Sequence, residues 1–239
     1  MAEFTYPSIE GPSYAFLDAP CVAFEKHDGS NLRFFWDQRR GWHSTGTRHR
    51  WFKVATPTFG PAVARFQRDF AKGILDVLRR FEEYRGAAEL VAFCEFFGTS
   101  TFSGLHKEEE DKRLMLFDVY VPGRGFVPPK DFVAHFGHLS IPQVVYEGPF
   151  SRAFIEAVKA GQYPVVEGVV AKGALNRRQR KGQNTQEVWM AKVKTRAWLD
   201  ELARRAGESE DLRQELEQNL REQRPLPEAA DAERPEDES

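Results

Sequence analysis

The sequence predicts a mixed α+β fold in which antiparallel sheets carry helices on their outer faces. Three observations lead to this prediction. Short apolar runs bounded by turn residues recur along the chain, residues 60–85 have the period of an amphipathic helix, and no internal repeat is present. Most of the 239 residues therefore belong to one large domain.

The first elements are three strands and a helix. Residues 20–45 (PCVAFEKHDGSNLRFFWDQRRGWHST) indicate strand, turn, strand, turn and strand, and the Asp28-Gly29 pair is typical of a hairpin turn. Apolar residues then recur every three or four positions and predict one buried helix face, made of Val63, Phe66, Phe70, Ile74, Val77 and Phe81.

The remaining elements alternate between strands and short helices. They are strands at 89–97, 113–121, 143–147, 165–171 and 187–193, helices at 128–136 and 150–160, and a helical segment from 195 to about 223. The polar, basic run ALNRRQRKGQNTQ between the last two strands predicts a flexible surface loop.

Charge and composition exclude several classes of protein. The net charge of −2 is uneven, because residues 207–239 hold 12 Asp or Glu and 4 Arg, and the preceding part is basic, as suits a polyanionic ligand. No apolar run could span a membrane, and the N-terminus lacks a secretion signal. Cys21 and Cys94 lie in apolar runs, which predicts buried thiols in a reducing, cytoplasmic compartment.

Lys26 is the first candidate for chemistry, because it ends an apolar strand and precedes a tight turn. A nucleophilic lysine needs a rigid support, and its pKa has to fall because only the neutral amine attacks. Neighbouring cations would lower this pKa by like-charge repulsion. The alternative is an ordinary hairpin with an exposed lysine.

Four further charged residues lie in predicted strands. Lys192 and Lys194 flank Val193 and point to the same face, so they require an anion between them, unless the face is a solvent-exposed edge. Glu95 and Glu167 interrupt apolar runs, and a carboxylate there needs a lysine or a metal-bound water as partner. A structural salt bridge is the alternative for each Glu.

Five short motifs occur in a specific order: KHDG, CEFFG, LFDVYV, EGVVAK and KVKTRAW. Together they resemble the nucleotidyltransferase motifs of the covalent ligase and capping-enzyme superfamily, and most closely those of the type-2 RNA ligases. The resemblance runs from about Cys21 to Trp198. It implies an ATP-grasp-like ligase adenylylation domain at residues 1–198, followed by a helical extension at 199–223 and a disordered acidic tail at 224–239.

The resemblance implies an ATP-dependent RNA ligase that joins 5′-phosphate and 3′-hydroxyl RNA ends through lysyl-AMP and adenylylated RNA. Lys26 would attack the α-phosphorus of ATP, Phe117 would stack on the adenine, and Glu95 would hydrogen-bond the ribose. For Phe117 the alternative is an ordinary core phenylalanine, since the chain contains 20 Phe.

The remaining implied roles concern phosphate and metal. Glu167, Lys192 and Lys194 would bind the α-phosphate and its Mg²⁺ or Mn²⁺ ion, with Glu167 as metal ligand. Asn31 and Arg48 would hold phosphates and the RNA 5′-phosphate, with Arg50 as the alternative to Arg48. The other residues assigned to nucleotide binding are Glu25, Asp28, Gly29 and Lys172.

The C-terminal region bears on the rival functions. Only 45 residues follow Lys194, which argues against the OB barrel that DNA ligases and capping enzymes of this superfamily usually append. The same shortness suggests an end-healing or RNA-binding protein partner. A catalytically inactive RNA-binding module and a nucleotidyltransferase with another acceptor are further alternatives. The basic loop at 176–183 either contacts RNA or pyrophosphate, or is simply solvated.

Overall fold

Two antiparallel sheets form the frame of the protein in the computed structural model. The structure describes residues 4–12, 16–48, 50–52, 58–99, 101–102, 111–178 and 184–222, with the backbone alone at 175–178 and 184–186. The strands in these ranges are β1 (Pro20–Lys26), β2 (Ser30–Asp37), β3 (Gly41–Thr47), β4 (Trp51–Phe52), β5 (Glu89–Gly98), β6 (Lys112–Val121), β7 (Gly125–Phe126), β8 (Val144–Pro149), β9 (Gly168–Arg178) and β10 (Asn184–Lys194). The α-helices are α1 (Gly60–Asp69), α2 (Ala71–Arg80), α3 (Pro129–Phe136), α4 (Arg152–Lys159), α5 (Arg196–Arg205) and α6 (Glu210–Glu222).

The strand order defines one smaller and one larger sheet. The four-stranded sheet has the order β10-β9-β1-β8, and the six-stranded sheet has the order β4-β3-β2-β5-β6-β7. Neighbouring strands are antiparallel in both sheets. Helices α1 and α2 pack against the larger sheet, α3 contacts β1 and β9 of the smaller sheet within the same core, and α4 also packs against the smaller sheet. The predicted α+β class, with antiparallel sheets and outer helices, is confirmed.

Strand β1 is buried on both faces, which makes it a rigid support for Lys26. Val22 and Phe24 pack into the core that includes α1, α2 and α3. Cys21 and Ala23 pack into a second core beneath α4. Because successive side chains of a strand point to opposite faces, the two cores take alternate residues of β1. The predicted burial of both cysteine thiols is confirmed.

The segment at residues 27–29 is not a hairpin turn, contrary to the prediction. Strand β1 pairs with β8 and β9, whereas β2 pairs with β3 and β5, so this segment carries the chain from one sheet to the other. The Asp-Gly signal is local and does not reveal whether the flanking strands pair with each other. Gly29 is needed for close packing, since a Cβ there would lie 2.5 Å from the carbonyl oxygen of Phe96.

The predicted helix at 60–85 is two helices, α1 and α2, that meet at Phe70, followed by a 3-10 turn at Glu82–Tyr84. The backbone of Phe70 has φ −122°, outside the helical range, so the helix is interrupted there. The predicted apolar face is nevertheless buried at its centre, at Phe66, Phe70, Ile74 and Val77. The side-chain period was therefore a better guide to burial than to helix continuity.

Strands β9 and β10 are longer than predicted. Strand β9 continues to Arg178 and β10 begins at Asn184, so much of the predicted loop consists of two paired strands. Backbone hydrogen bonds hold this pair together, and they do not depend on the polarity of the side chains. Residues 179–183 of that loop and the predicted tail at 224–239 lie outside the described residues. Glu167 was predicted inside a strand, but β9 begins one residue later, at Gly168.

Helices α5 and α6 form a pair after β10. The Thr195 hydroxyl caps α5 by accepting a hydrogen bond from the amide of Trp198 at 3.2 Å. Trp198, Leu202 and Leu212 are buried together between the two helices. The boundary expected at residue 198 lies within α5. Across the described ranges, every helix is too short or too polar to cross a membrane.

Candidate active site

A cavity of about 290 Å³, bounded by both sheets, contains all of the predicted site residues. The predicted residues in its wall are Glu25, Lys26, Asp28, Gly29, Asn31, Arg48, Glu95, Phe117, Glu167, Lys172, Lys192 and Lys194. Arg50, the alternative to Arg48, is exposed and does not line this cavity. The motifs are far apart in sequence, so the pairing of the strands is what brings these side chains together.

The register of three strands explains how Lys26, Glu167 and Lys194 meet. Gly168 pairs with Lys26 of β1 on one side and with Lys194 of β10 on the other. Glu167, the preceding residue, therefore lies between two ammonium groups, with Oε1 2.8 Å from Lys26 Nζ and 3.0 Å from Lys194 Nζ. Gly168 has φ +154°, and a Cβ there would collide with the carbonyl oxygen of Val193, so only glycine fits.

The electrostatics of Lys26 differ from the prediction. Burial alone would lower the pKa of Lys26, but the carboxylates of Glu167 and Glu95 outweigh burial and raise it. The prediction that neighbouring cations lower the pKa of Lys26 is therefore wrong. The side chain that is hydrogen-bonded to its amine is a carboxylate, that of Glu167. Burial would in turn raise the pKa of Glu167, but Lys26 and Lys194 hold it below its usual value.

Lys172 belongs to a separate chain of buried polar groups. Its ammonium donates to Asp118 Oδ2 at 2.8 Å and to the carbonyl oxygen of Phe117 at 2.7 Å. The Tyr6 hydroxyl donates to the same Asp118 carboxylate. Burial raises the pKa of Asp118 and lowers the pKa of Lys172, and each partner offsets burial only in part. This chain holds the backbone of Phe117, whose ring lines the cavity.

Asn31 and Glu95 lie opposite each other on β2 and β5. Burial raises the pKa of Glu95 to about 8, although Lys26 lowers it. Asn31 Oδ1 is buried and accepts no hydrogen bond from the described part of the chain. The pair therefore presents polar groups that a bound ligand could satisfy.

The N-terminal segment at residues 4–12 is a part of the site that the motifs did not reveal. It contributes Tyr6, Ser8 and Ile9 to the cavity wall. The Arg48 side chain donates to the carbonyl oxygen of Pro7 at 2.7 Å. The backbone amide of Lys192 donates to the carbonyl oxygen of Glu10 at 2.9 Å. These contacts join residues distant in sequence, and the only local signal was a pair of aromatic residues, Phe4 and Tyr6.

Helix α6 is the second unpredicted contributor. Glu215 Oε1 lies 2.9 Å from Lys194 Nζ, and Glu222 Oε2 lies 2.7 Å from Lys192 Nζ. Gln218, which lies between them in sequence, also lines the cavity. The seven-residue spacing of the two glutamates places them on one face of the helix and was a signal available in the sequence.

A divalent metal ion was predicted to bind Glu167. Among the described residues, no group of three or more His, Cys, Asp or Glu side chains is arranged to hold a metal ion. Magnesium is commonly held by one or two carboxylates together with phosphate oxygens of a substrate, and Glu167 can supply such a carboxylate. Glu167 would supply one carboxylate to such an ion, beside phosphate oxygens of a bound nucleotide.

Four lysines, Lys26, Lys172, Lys192 and Lys194, line the cavity between the two antiparallel sheets. A sequence profile of the RNA ligase family matches residues 19–219 of the chain. The chain belongs to the RNA ligase family, which confirms the resemblance seen in its motifs. A comparison with curated protein sequences gives no significant match.

Solved structures with the same fold include two forms of an RNA ligase from Naegleria gruberi. An apo mutant has a TM-score of 0.55 and 12% identity over 88% of this chain and 60% of that chain. A mutant with ATP and Mn has a TM-score of 0.54, 16% identity and the same coverage. An archaeal ATP-dependent RNA ligase has a TM-score of 0.52 and 19% identity, over 85% of this chain and 52% of that chain. The chain thus spans about 60% or less of the length of these structures.

Proposed function

We propose that the protein is an ATP-dependent RNA ligase that joins 5′-phosphate and 3′-hydroxyl ends through lysyl-AMP at Lys26. The observation that carries this proposal is the position of Lys26, at the end of a doubly buried strand and in one cavity with Lys172, Lys192 and Lys194. Membership of the RNA ligase family supports it. So does the ATP and Mn carried by the Naegleria ligase of the same fold.

In the first step, the neutral amine of Lys26 attacks the α-phosphorus of ATP. A phosphorus–nitrogen bond forms, the bond to pyrophosphate breaks, and the amine loses a proton. Glu167 Oε2 lies 2.9 Å from Lys26 Nζ and orients the amine before this attack, and the proton leaves to solvent. Lys192 and Lys194 stabilise the negative charge that develops on the phosphate oxygens.

The base and ribose bind on the side of the larger sheet. We propose that the Phe117 ring stacks on the adenine and that Glu95 hydrogen-bonds the ribose, whose hydroxyl groups can donate to a carboxyl group. Asn31 Oδ1, which is buried without a donor within the described ranges, takes a hydrogen bond from the bound nucleotide or its water. Arg48 contacts a phosphate in preference to the exposed Arg50.

Glu167 is the residue that we propose to hold a divalent metal ion, Mg²⁺ or Mn²⁺, together with nucleotide phosphates. Such an ion would neutralise phosphate charge during transfer. A metal-bound Glu167 would also give up part of its interaction with Lys26. Because Glu167 raises the pKa of Lys26, this exchange would favour the neutral amine.

Two further steps complete sealing. An oxygen of the RNA 5′-phosphate attacks the phosphorus of lysyl-AMP, the phosphorus–nitrogen bond breaks, and Lys26 regains a proton. The 3′-hydroxyl of a second end then attacks the 5′-phosphorus, loses its proton and expels AMP, which forms the phosphodiester. We propose that an end-healing or RNA-binding partner assists these steps in cytoplasmic RNA repair.

The decisive experiment is intact-protein mass spectrometry after incubation with ATP and Mg²⁺. We expect the wild type to gain the mass of one AMP and Lys26→Ala to gain none. Lys130→Ala is a matched control, since Lys130 is an exposed lysine paired with Glu147, and it should react like the wild type. An AMP adduct on Lys26→Ala would show that the nucleophile is another residue.

The same assay separates the rival functions. GTP in place of ATP should give no adduct, and a GMP adduct would indicate a capping enzyme instead. Adenylylated protein supplied with DNA or RNA ends should form a sealed product with RNA. RNA binding without any adduct, even after pyrophosphate treatment to remove preloaded AMP, would favour an inactive binding module.

A further inference from the structure

The two lysines at the end of β10 are already paired with carboxylates of the protein's own C-terminal helix. We propose that α6 is an internal competitor of ATP, whose Glu215 and Glu222 occupy the phosphate-binding lysines until the nucleotide displaces them. This inference rests on the proposed function, because that function assigns Lys192 and Lys194 to the phosphates.

The geometry matches two anions to two cations. Lys192 and Lys194 are two residues apart on one strand and so point to the same face, while Glu215 and Glu222 are two helical turns apart on one face of α6. Each glutamate contacts one lysine, at 2.9 Å for Glu215 and 2.7 Å for Glu222. A lysine pair that faces one way requires nearby anions, and α6 supplies them.

The contacts occupy the place where a triphosphate has to bind. Lys194 also contacts Glu167, so two carboxylates share its ammonium. A triphosphate carries more charge than a carboxylate and forms strong charge-assisted hydrogen bonds with lysine. Phosphate oxygens and glutamate carboxylates cannot both approach the same ammonium groups without like-charge repulsion. ATP binding therefore favours withdrawal of the two glutamates.

The way that α6 is held allows such a movement. Its N-terminal half is anchored by Leu212, which is fully buried against Trp198 and Leu202. Its C-terminal half carries Leu220, which is 60% exposed, and contacts the rest of the protein through the Lys192–Glu222 ion pair, the buried Asn219 and the Glu222 backbone beside Gly11. Asn219 donates to Glu215 Oε1 at 2.8 Å and holds that carboxylate towards Lys194. The C-terminal half of α6 can therefore move away from Lys192 and Lys194 while its N-terminal half stays packed against α5.

The first test is the affinity for ATP of the full chain carrying both Glu215→Gln and Glu222→Gln. Glutamine keeps the size of the side chains but removes the competing charges. We expect the variant to bind labelled ATP about tenfold more tightly than the wild type, within the range typical of coupled sites. The control is Glu210→Gln with Glu217→Gln, which removes the same charge from exposed ion pairs of the same helix and should leave ATP affinity within about twofold of the wild-type value.

Two outcomes would overturn the proposal. Equal or weaker ATP binding by the Glu215→Gln and Glu222→Gln variant would mean that the glutamates do not compete with the nucleotide. If neither this variant nor the wild type bound ATP, the proposed function itself would fail. Hydrogen exchange on the wild type provides a test that needs no variant. ATP should accelerate amide exchange in α6, and slower exchange would show that the helix closes over the nucleotide.

Discussion

Lys26 and Lys172 lie on neighbouring strands of the same sheet and line the same cavity, yet their pKa values shift in opposite directions. Burial lowers both. Around Lys26, the carboxylates of Glu167 and Glu95 overcome burial, whereas in the described part of the chain Lys172 contacts a single carboxylate, that of Asp118, and a carbonyl oxygen. The direction of the pKa shift of each lysine therefore depends on the number of nearby carboxylates and not on its position in a strand.

The two lysines also differ in what their removal leaves behind. Without Lys26, Glu167 keeps its contact with Lys194. Without Lys172, the buried carboxylate of Asp118 keeps only the Tyr6 hydroxyl among the contacts described here. Removal of Lys26 thus leaves its carboxylate partner with another ammonium, whereas removal of Lys172 leaves Asp118 without one of its two partners.

The largest effect is expected when Lys172 is removed. Lys172→Ala should lower the free energy of unfolding by about 3–5 kcal/mol, because it leaves a buried carboxylate unpaired. Lys26→Ala should cost about 1 kcal/mol or less, since its partner remains bonded. Urea denaturation of both variants measures the difference. Similar losses would mean that the two environments are equivalent, and Lys172→Ala with Asp118→Ala should recover part of the loss.

A smaller effect concerns Glu95, which raises the pKa of Lys26. The pKa of Glu95 is raised to about 8 in the folded protein, so the folded state binds this proton more tightly than the unfolded chain does. The resulting stability is complete below the ordinary glutamate pKa and is lost as the pH rises through about 8. Glu95→Gln lacks this titration and should gain stability relative to the wild type between pH 5 and pH 9.

Urea denaturation at pH 5, 7 and 9 tests the prediction for Glu95. Glu147→Gln, which alters a glutamate in an exposed ion pair, should follow the pH dependence of the wild type. A constant difference in stability between Glu95→Gln and the wild type at all three values would mean that Glu95 does not titrate in this range.

An effect smaller than that of Lys172→Ala is expected for Tyr6→Phe, which removes one hydrogen bond from the Lys172 side of the comparison. Loss of the hydroxyl that donates to Asp118 should cost about 1–3 kcal/mol of stability. It should also raise the KM for ATP in self-adenylylation several-fold with little change in kcat, because Phe117 and Lys172 lose support. Tyr146→Phe is the control, since its hydroxyl bonds the Pro149 carbonyl oxygen instead. An unchanged KM would leave Tyr6 with a purely structural role.

All twelve residues that the sequence singled out line one cavity, while their chemical roles stay predictions. Their surroundings were harder to foresee. The Asp28-Gly29 segment was misassigned to a hairpin, since pairing partners are not encoded in a dipeptide. Tyr6 and the glutamates of α6 were missed because they belong to none of the motifs and reach the cavity only through long-range packing.

The amino-acid pattern alone was sufficient for the α+β class, the buried strand that carries Lys26 and the residue types of the site. These properties follow from local periodicity and from the chemistry of individual side chains. The folded chain was needed to show that Glu167 joins Lys26 to Lys194, that Lys26 has a raised pKa, and that α6 carries carboxylates to the lysines. Each of these depends on distances between charges on separate elements, and such distances exist only once the sheets and helices have packed.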